Sequence, residues 1–102
     1  MTAIVMTDQQ IKQYVDNVFD KYDKDKSFTL DIKELSEFLN DLILAKGGIT
    51  LVNLQQAKNS MRVLNPKGDD DMTKQVFYNS LQRFNGSVDD IVAAIIQTIH
   101  HE

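Results

Sequence analysis

The chain is 102 residues long, 42% hydrophobic, and carries a formal charge of −4. That is one domain's length, enough for a single modest core, and its acidity argues against a nucleic-acid partner, which would select a basic face. It contains no cysteine, which excludes disulfides and thiolate metal sites and is compatible with a reducing, cytoplasmic setting.

The first element is a helix. Thr7 and Gln10 have the spacing of a capping box, and Met6 and Ile11 flank it as a hydrophobic staple. Ile11, Val15, Val18, Phe19 and Tyr22 then recur at helical spacing, so the helix should end at Tyr22. The polar stretch DKDKSFTLDIKE, residues 23–34, follows. A second helix begins near Ile32, with Leu35, Phe38, Leu39, Leu42 and Ile43 inward, and Gly47 and Gly48 stop it. Thr50 can cap a third helix running to about Leu64, with Leu51, Leu54, Ala57, Met61 and Leu64 inward. NPKGDDD, residues 65–71, is dense in turn formers. A fourth helix spans about Thr73 to Phe84 and buries Val76, Phe77, Leu81 and Phe84. After Asn85-Gly86, Ser87 can cap a fifth helix, with Asp90 at its third position. Its apolar stripe is Val88, Ile91, Val92, Ile95, Ile96 and Ile99. Five helices with almost no strand pattern predict an all-α fold.

Helix, polar loop, helix occurs twice. Phe19 and Tyr22 precede the first loop by four residues and one, and Met61 and Leu64 precede a loop starting at Asn65 in the same way. Leu35 and Leu39 correspond to Phe77 and Leu81, and the frames agree without gaps from Val15 to Leu39 and from Ala57 to Leu81. On these residues the chain resembles the EF-hand family, specifically one two-hand lobe of a calmodulin-like protein, over roughly residues 8–84. The resemblance implies a single domain: hand one at about 8–46, a degenerate hand two at about 50–84, and an extra helix at about 87–100. It also implies a shared core and a short antiparallel contact between the loops that pairs Leu30 with Met72.

The first loop has the donor pattern that calcium takes, six to eight oxygens at flexible geometry. Asp23 and Asp25 offer carboxylates, Ser27 a hydroxyl and Thr29 its backbone carbonyl. Asp31 binds directly or through water, and Glu34 is long enough to chelate with both oxygens. Acidic turns between helices are ordinarily just solvated. Here, however, the carboxylates fall at liganding positions, while Lys24, Lys26 and Lys33 fill outward ones. The sixth position, usually glycine at positive φ, is Phe28. The left-handed region costs an ordinary residue about 1–2 kcal/mol. A bulky aromatic sits at the upper end of that range, so taken wholly from binding the cost is about ten- to thirtyfold in affinity. We expect a weakened but working site for one calcium ion, which Phe28→Gly should tighten.

The second loop places Asn65, Lys67, Asp69, Asp71 and Thr73 at the odd positions and Val76 at the twelfth. Valine cannot chelate and Lys67 opposes a cation, so this loop is expected to be structural.

Function follows as an expectation from the resemblance: a calcium-binding regulatory module. A groove of Phe19, Leu35, Phe38, Leu39, Met61, Phe77 and Leu81 would receive an amphipathic helical target, or the chain's own fifth helix. The fifth helix could equally dock on a partner or lead into further hands of a longer protein. A calcium-insensitive, light-chain-like lobe and a calcium buffer are the alternatives. No nucleophile–base constellation or phosphate loop is present, so no enzymatic activity is expected. Neither is a membrane span, since the longest apolar run, IVAAII at 91–96, is too short. MTAIVM at 1–6 lacks a basic start and is too short for a secretory signal, and Thr2 rules out myristoylation. The terminal His100-His101-Glu102 is read as solvated rather than as a metal site.

Overall fold

A computed structural model describes residues 6–48, 51–67 and 70–100, with the side chains of 99 and 100 left aside. Among the described residues there are five helices and two short strands. They run in the order α1 (Asp8–Tyr22), β1 (Thr29–Asp31), α2 (Ile32–Ala45), α3 (Leu54–Leu64), β2 (Asp71–Thr73), α4 (Lys74–Arg83) and α5 (Val88–His100). The all-α expectation holds at this level, and the one two-stranded antiparallel sheet is the short contact expected between the loops.

Local chemistry sets the helix limits. The Thr7 hydroxyl accepts the Gln10 N–H at 3.2 Å and the Gln10 side chain accepts the Thr7 N–H at 2.8 Å, closing the capping box. α2 closes the same box with Asp31 and Glu34. α2 ends in a Schellman turn, with the Gly48 N–H on the Ile43 carbonyl and the Gly47 N–H on that of Leu44, at 2.9 and 3.0 Å. Gly47 occupies the left-handed position at φ 84°. α4 ends in the same motif, but there Asn85 takes the left-handed position, at φ 57°. Gly86 is also left-handed, at φ 72°, and it is required for a second reason. A Cβ on it would sit 2.6 Å from the carbonyl oxygen of Met6, whose N–H bonds the Gly86 carbonyl at 3.1 Å.

The start of α3 differs from expectation. Thr50 lies outside the described residues, and the cap is Asn53, boxed with Gln56. Asn40 on α2 explains the shift. Its side chain accepts the Val52 N–H at 2.7 Å and donates to the Val52 carbonyl at 3.3 Å, holding that segment extended. Val52 is therefore buried, while Leu51 and Leu54, expected inward, are about half exposed. The inward face of α3 begins at Ala57 and continues through Met61 and Leu64.

One core joins all the elements. α1 packs on α2 and α4, α2 on α3, and α3 on α4 and α5. Tyr14, Phe19, Tyr22, Phe38 and Phe77 form a chain of edge and tilted aromatic contacts with centroids 5.5–6.5 Å apart, tying α1, α2 and α4 together. Phe77 and Leu81 of α4 are buried as expected, while Val76 and Phe84 are only half-buried. α5 is capped by Ser87, which accepts the Asp90 N–H at 3.2 Å. It folds back onto α3, burying Ile91 and Ile95 in the common core. Val88 and Val92 are half-buried, Ile96 is exposed, and the side chain of Ile99 lies outside the described residues. No helix among the described residues is long and apolar enough to cross a membrane.

Candidate metal centre

The site lies in the loop between α1 and α2, and helix geometry at both ends builds it. α1 stops at Tyr22, so Asp23 is its C-cap and the first loop residue. Asp31 is the N-cap of α2, so Glu34 falls in the first helical turn and points back towards the loop. Asp23 is buried at 6% exposure and Glu34 at 7%, while Asp25 is exposed.

Intrachain donors hold the carboxylates in place. Asp23 Oδ2 accepts the Phe28 N–H at 2.9 Å, and Asp23 Oδ1 accepts the Ser27 N–H at 3.1 Å. The Ser27 N–H is shared with Asp25 Oδ1, also at 3.1 Å. Glu34 uses both oxygens: Oε2 accepts the Lys24 N–H at 3.0 Å and Oε1 the Asp31 N–H at 3.1 Å. Ser27 Oγ lies 3.1 Å from the Thr29 carbonyl oxygen, so two more expected ligand oxygens are neighbours. Asp31 Oδ1 accepts the Glu34 N–H at 2.8 Å, so in this arrangement Asp31 serves as a helix cap.

One carboxylate oxygen each from Asp23, Asp25 and Glu34 comes within 4.8 Å of the others. Calcium–oxygen bonds of about 2.3–2.6 Å let two ligands on one ion stand up to about 5 Å apart, so three such oxygens fit around one cation. Hydrogen bonding from the Ser27 hydroxyl and then from its N–H holds the Asp25 carboxyl pKa below its ordinary value, favouring the charged form. Phe28 takes the sixth position at φ 67°, the conformation expected of glycine, with its ring turned into solvent at 75% exposure. Lys26 is also left-handed, at φ 56°.

The two loops meet. β1 and β2 pair with Leu30 opposite Met72, Thr29 opposite Thr73 and Asp31 opposite Asp71. Leu30 and Met72 are fully buried, so the pair seals the loops against the core. In the second loop the first position behaves oppositely to Asp23. The buried Asn65 donates its side-chain N–H to the Asp71 carbonyl at 3.0 Å. An amide donor thus satisfies a loop carbonyl from inside the chain. Lys67 is exposed, Val76 packs against the core, and Asp69 lies outside the described residues. Among the described residues, the Asp23, Asp25 and Glu34 group stands alone as a cluster of potential metal ligands.

The seven residues expected to line a partner groove, Phe19, Leu35, Phe38, Leu39, Met61, Phe77 and Leu81, are all buried, at 0–5% exposure. Of these, only Phe38 lines the open cleft of about 340 Å³ between α1 and α2. Beside that cleft the Tyr22 hydroxyl donates to Asp41 Oδ2 at 2.6 Å. Burial, and then this carboxylate, raise the Tyr22 phenol above its ordinary value.

The sequence placed Asn65 at the first position of the second loop without its role as a donor, and gave no role to Glu37 and Asp41. An amide where the first loop has an acid was the visible signal for Asn65. For the others it was the spacing of Glu34, Glu37 and Asp41 along one face of α2. Set against known proteins, the chain matches no family model, and no curated protein or solved structure matches it significantly.

Proposed function

We propose that the chain is a calcium-binding regulatory module: a pair of EF-hands in which residues 23–34 bind one ion and the second loop is structural. The carrying observation is that carboxylates at the first, third and twelfth loop positions converge within 4.8 Å around a turn made at the sixth. The role of each residue follows from its chemistry. Asp23, Asp25 and Glu34 supply negative charge, Ser27 and the Thr29 carbonyl supply neutral oxygens, and Asp31 acts directly or through water. Binding would draw Glu34, and with it the start of α2, towards the ion. A swing of α2 relative to α1 would then expose the apolar residues of the groove to a helical partner.

A second reading has its own support. The groove residues are buried and α5 packs on α3, which suits a calcium buffer that binds without opening. Calorimetric calcium titration of the wild type and Glu34→Gln tests the site: one site is expected, lost in the variant. No heat up to millimolar calcium would leave the calcium-insensitive lobe in its place. Binding of an apolar dye with and without calcium separates sensor from buffer, since only the sensor gains fluorescence with the ion.

A further inference from the structure

Three carboxylates on one face of α2 each take a donor from Tyr22 or Lys24, at and just past the end of α1. The Tyr22 hydroxyl bonds Asp41 at 2.6 Å, the Lys24 ammonium pairs with Glu37 at 2.9 Å, and the Lys24 N–H bonds Glu34 at 3.0 Å. Only Glu34 is a loop ligand in the reading above. The other two contacts lie further along α2 and tie its flank to the end of α1.

Their surroundings make them a clasp rather than part of a sealed interface. Tyr22 and Asp41 line both the cleft of about 340 Å³ and a second of about 410 Å³. The hydrogen bond therefore runs along the edge of the α1–α2 contact, between two clefts that side chains leave unfilled. Its length lies in the range of strong, charge-assisted O–H to carboxylate bonds. The Tyr22 ring also meets Phe38 of α2 edge-on, centroids 5.5 Å apart, so the hydroxyl extends a contact that the ring already makes. The Lys24–Glu37 pair is largely exposed and so contributes less.

We propose that Tyr22–Asp41, assisted by Lys24–Glu37, is a clasp that holds α2 against the end of α1 and sets the loop's calcium affinity by resisting the swing of α2. The effect on calcium rests on the proposed function; the clasp itself does not. Any movement of α2 away from α1 must break the Tyr22–Asp41 bond, and that cost lowers the apparent affinity for the ion.

The test uses the cysteine-free chain, spin-labelled at Gln13→Cys and Leu44→Cys on exposed faces of α1 and α2. Interhelix distances are measured by pulsed EPR in chelator, and calcium affinity by calorimetry on unlabelled protein. Tyr22→Phe keeps the ring, and Asp41→Asn changes the exposed end without touching the core. Each should broaden or lengthen the distance distribution and tighten calcium by about three- to tenfold, the net worth of one part-buried hydrogen bond. Glu37→Gln should do less. Distances equal to wild type in both variants overturn the clasp. Altered distances with calcium affinity unchanged or lowered overturn its control of the loop. Wild type that binds no calcium removes the calcium reading and the control with it, while the distances still decide the clasp.

Discussion

Phe28 concentrates the energetics of the candidate site in one backbone angle. At φ 67° with its ring in water, it bears the steric cost of a left-handed residue and gains little from packing. The turn it makes is held by intrachain bonds, its own N–H on Asp23 and that of Ser27 on Asp23 and Asp25. The cost of about 1–2 kcal/mol is therefore expected to fall mainly on folding rather than on ion binding. Phe28→Gly should raise the melting temperature in chelator and tighten calcium less than tenfold. A larger gain in affinity, with melting unchanged in chelator, would mean that the turn forms only with the ion. Tyr14 carries a separate residue-scale signature. Burial pushes its phenol up to about 12. The folded chain thus favours the protonated form, so this contribution to stability is full below about pH 10 and is lost as pH rises towards 12. Spectrophotometric titration of the native protein should show phenolate absorbance delayed beyond that of the unfolded chain.

Among the elements, the second loop shows how a strand pair can be kept without a metal. The Asn65 amide donates where Asp23 accepts, and it satisfies the Asp71 carbonyl directly beside the Leu30–Met72 pair. Asn65→Ala leaves that carbonyl without its partner and should destabilise the fold by about 1–3 kcal/mol, measured by urea denaturation in chelator. A cost near zero would show that the strand pair does not depend on this bond. The helices were legible in the sequence wherever a cap and an apolar period agreed. Thr7 with Gln10, and the stripe from Ile11 to Tyr22, located α1 to the residue. Thr50, Leu51 and Leu54 misled because helix propensity does not know that Asn40, on another helix, holds Val52 extended.

At the scale of the whole molecule, α5 closes the core over α3. Within that one helix, Ile95 is at 1% exposure and Ile96 at 39%. Ile95→Ala should cost about 2–5 kcal/mol and increase apolar-dye binding even in chelator, whereas Ile96→Ala should change both little. Equal effects from the two would mean that α5 does not use this face. If calcium opens the groove, it does so against a core that already buries every groove residue. A small methionine content limits how freely such a surface could repack around varied partners.

Local information was sufficient for the five-helix count, the capping box of α1, the repeat of the two loops and the three carboxylates that converge in the first. Each depends on residues within a few positions of one another, where backbone sterics and hydrogen-bond reach decide. Even the pairing of Leu30 with Met72 followed from the aligned repeat and its family resemblance. Tertiary structure alone decided where α5 rests, why α3 starts late, and that a side-chain amide serves the second loop. It also brought Tyr22 and Lys24 against Asp41 and Glu37. These outcomes turn on which distant groups meet when the core closes, and on the need of each buried donor and acceptor for a partner. A one-dimensional pattern shows that need without showing how it is met.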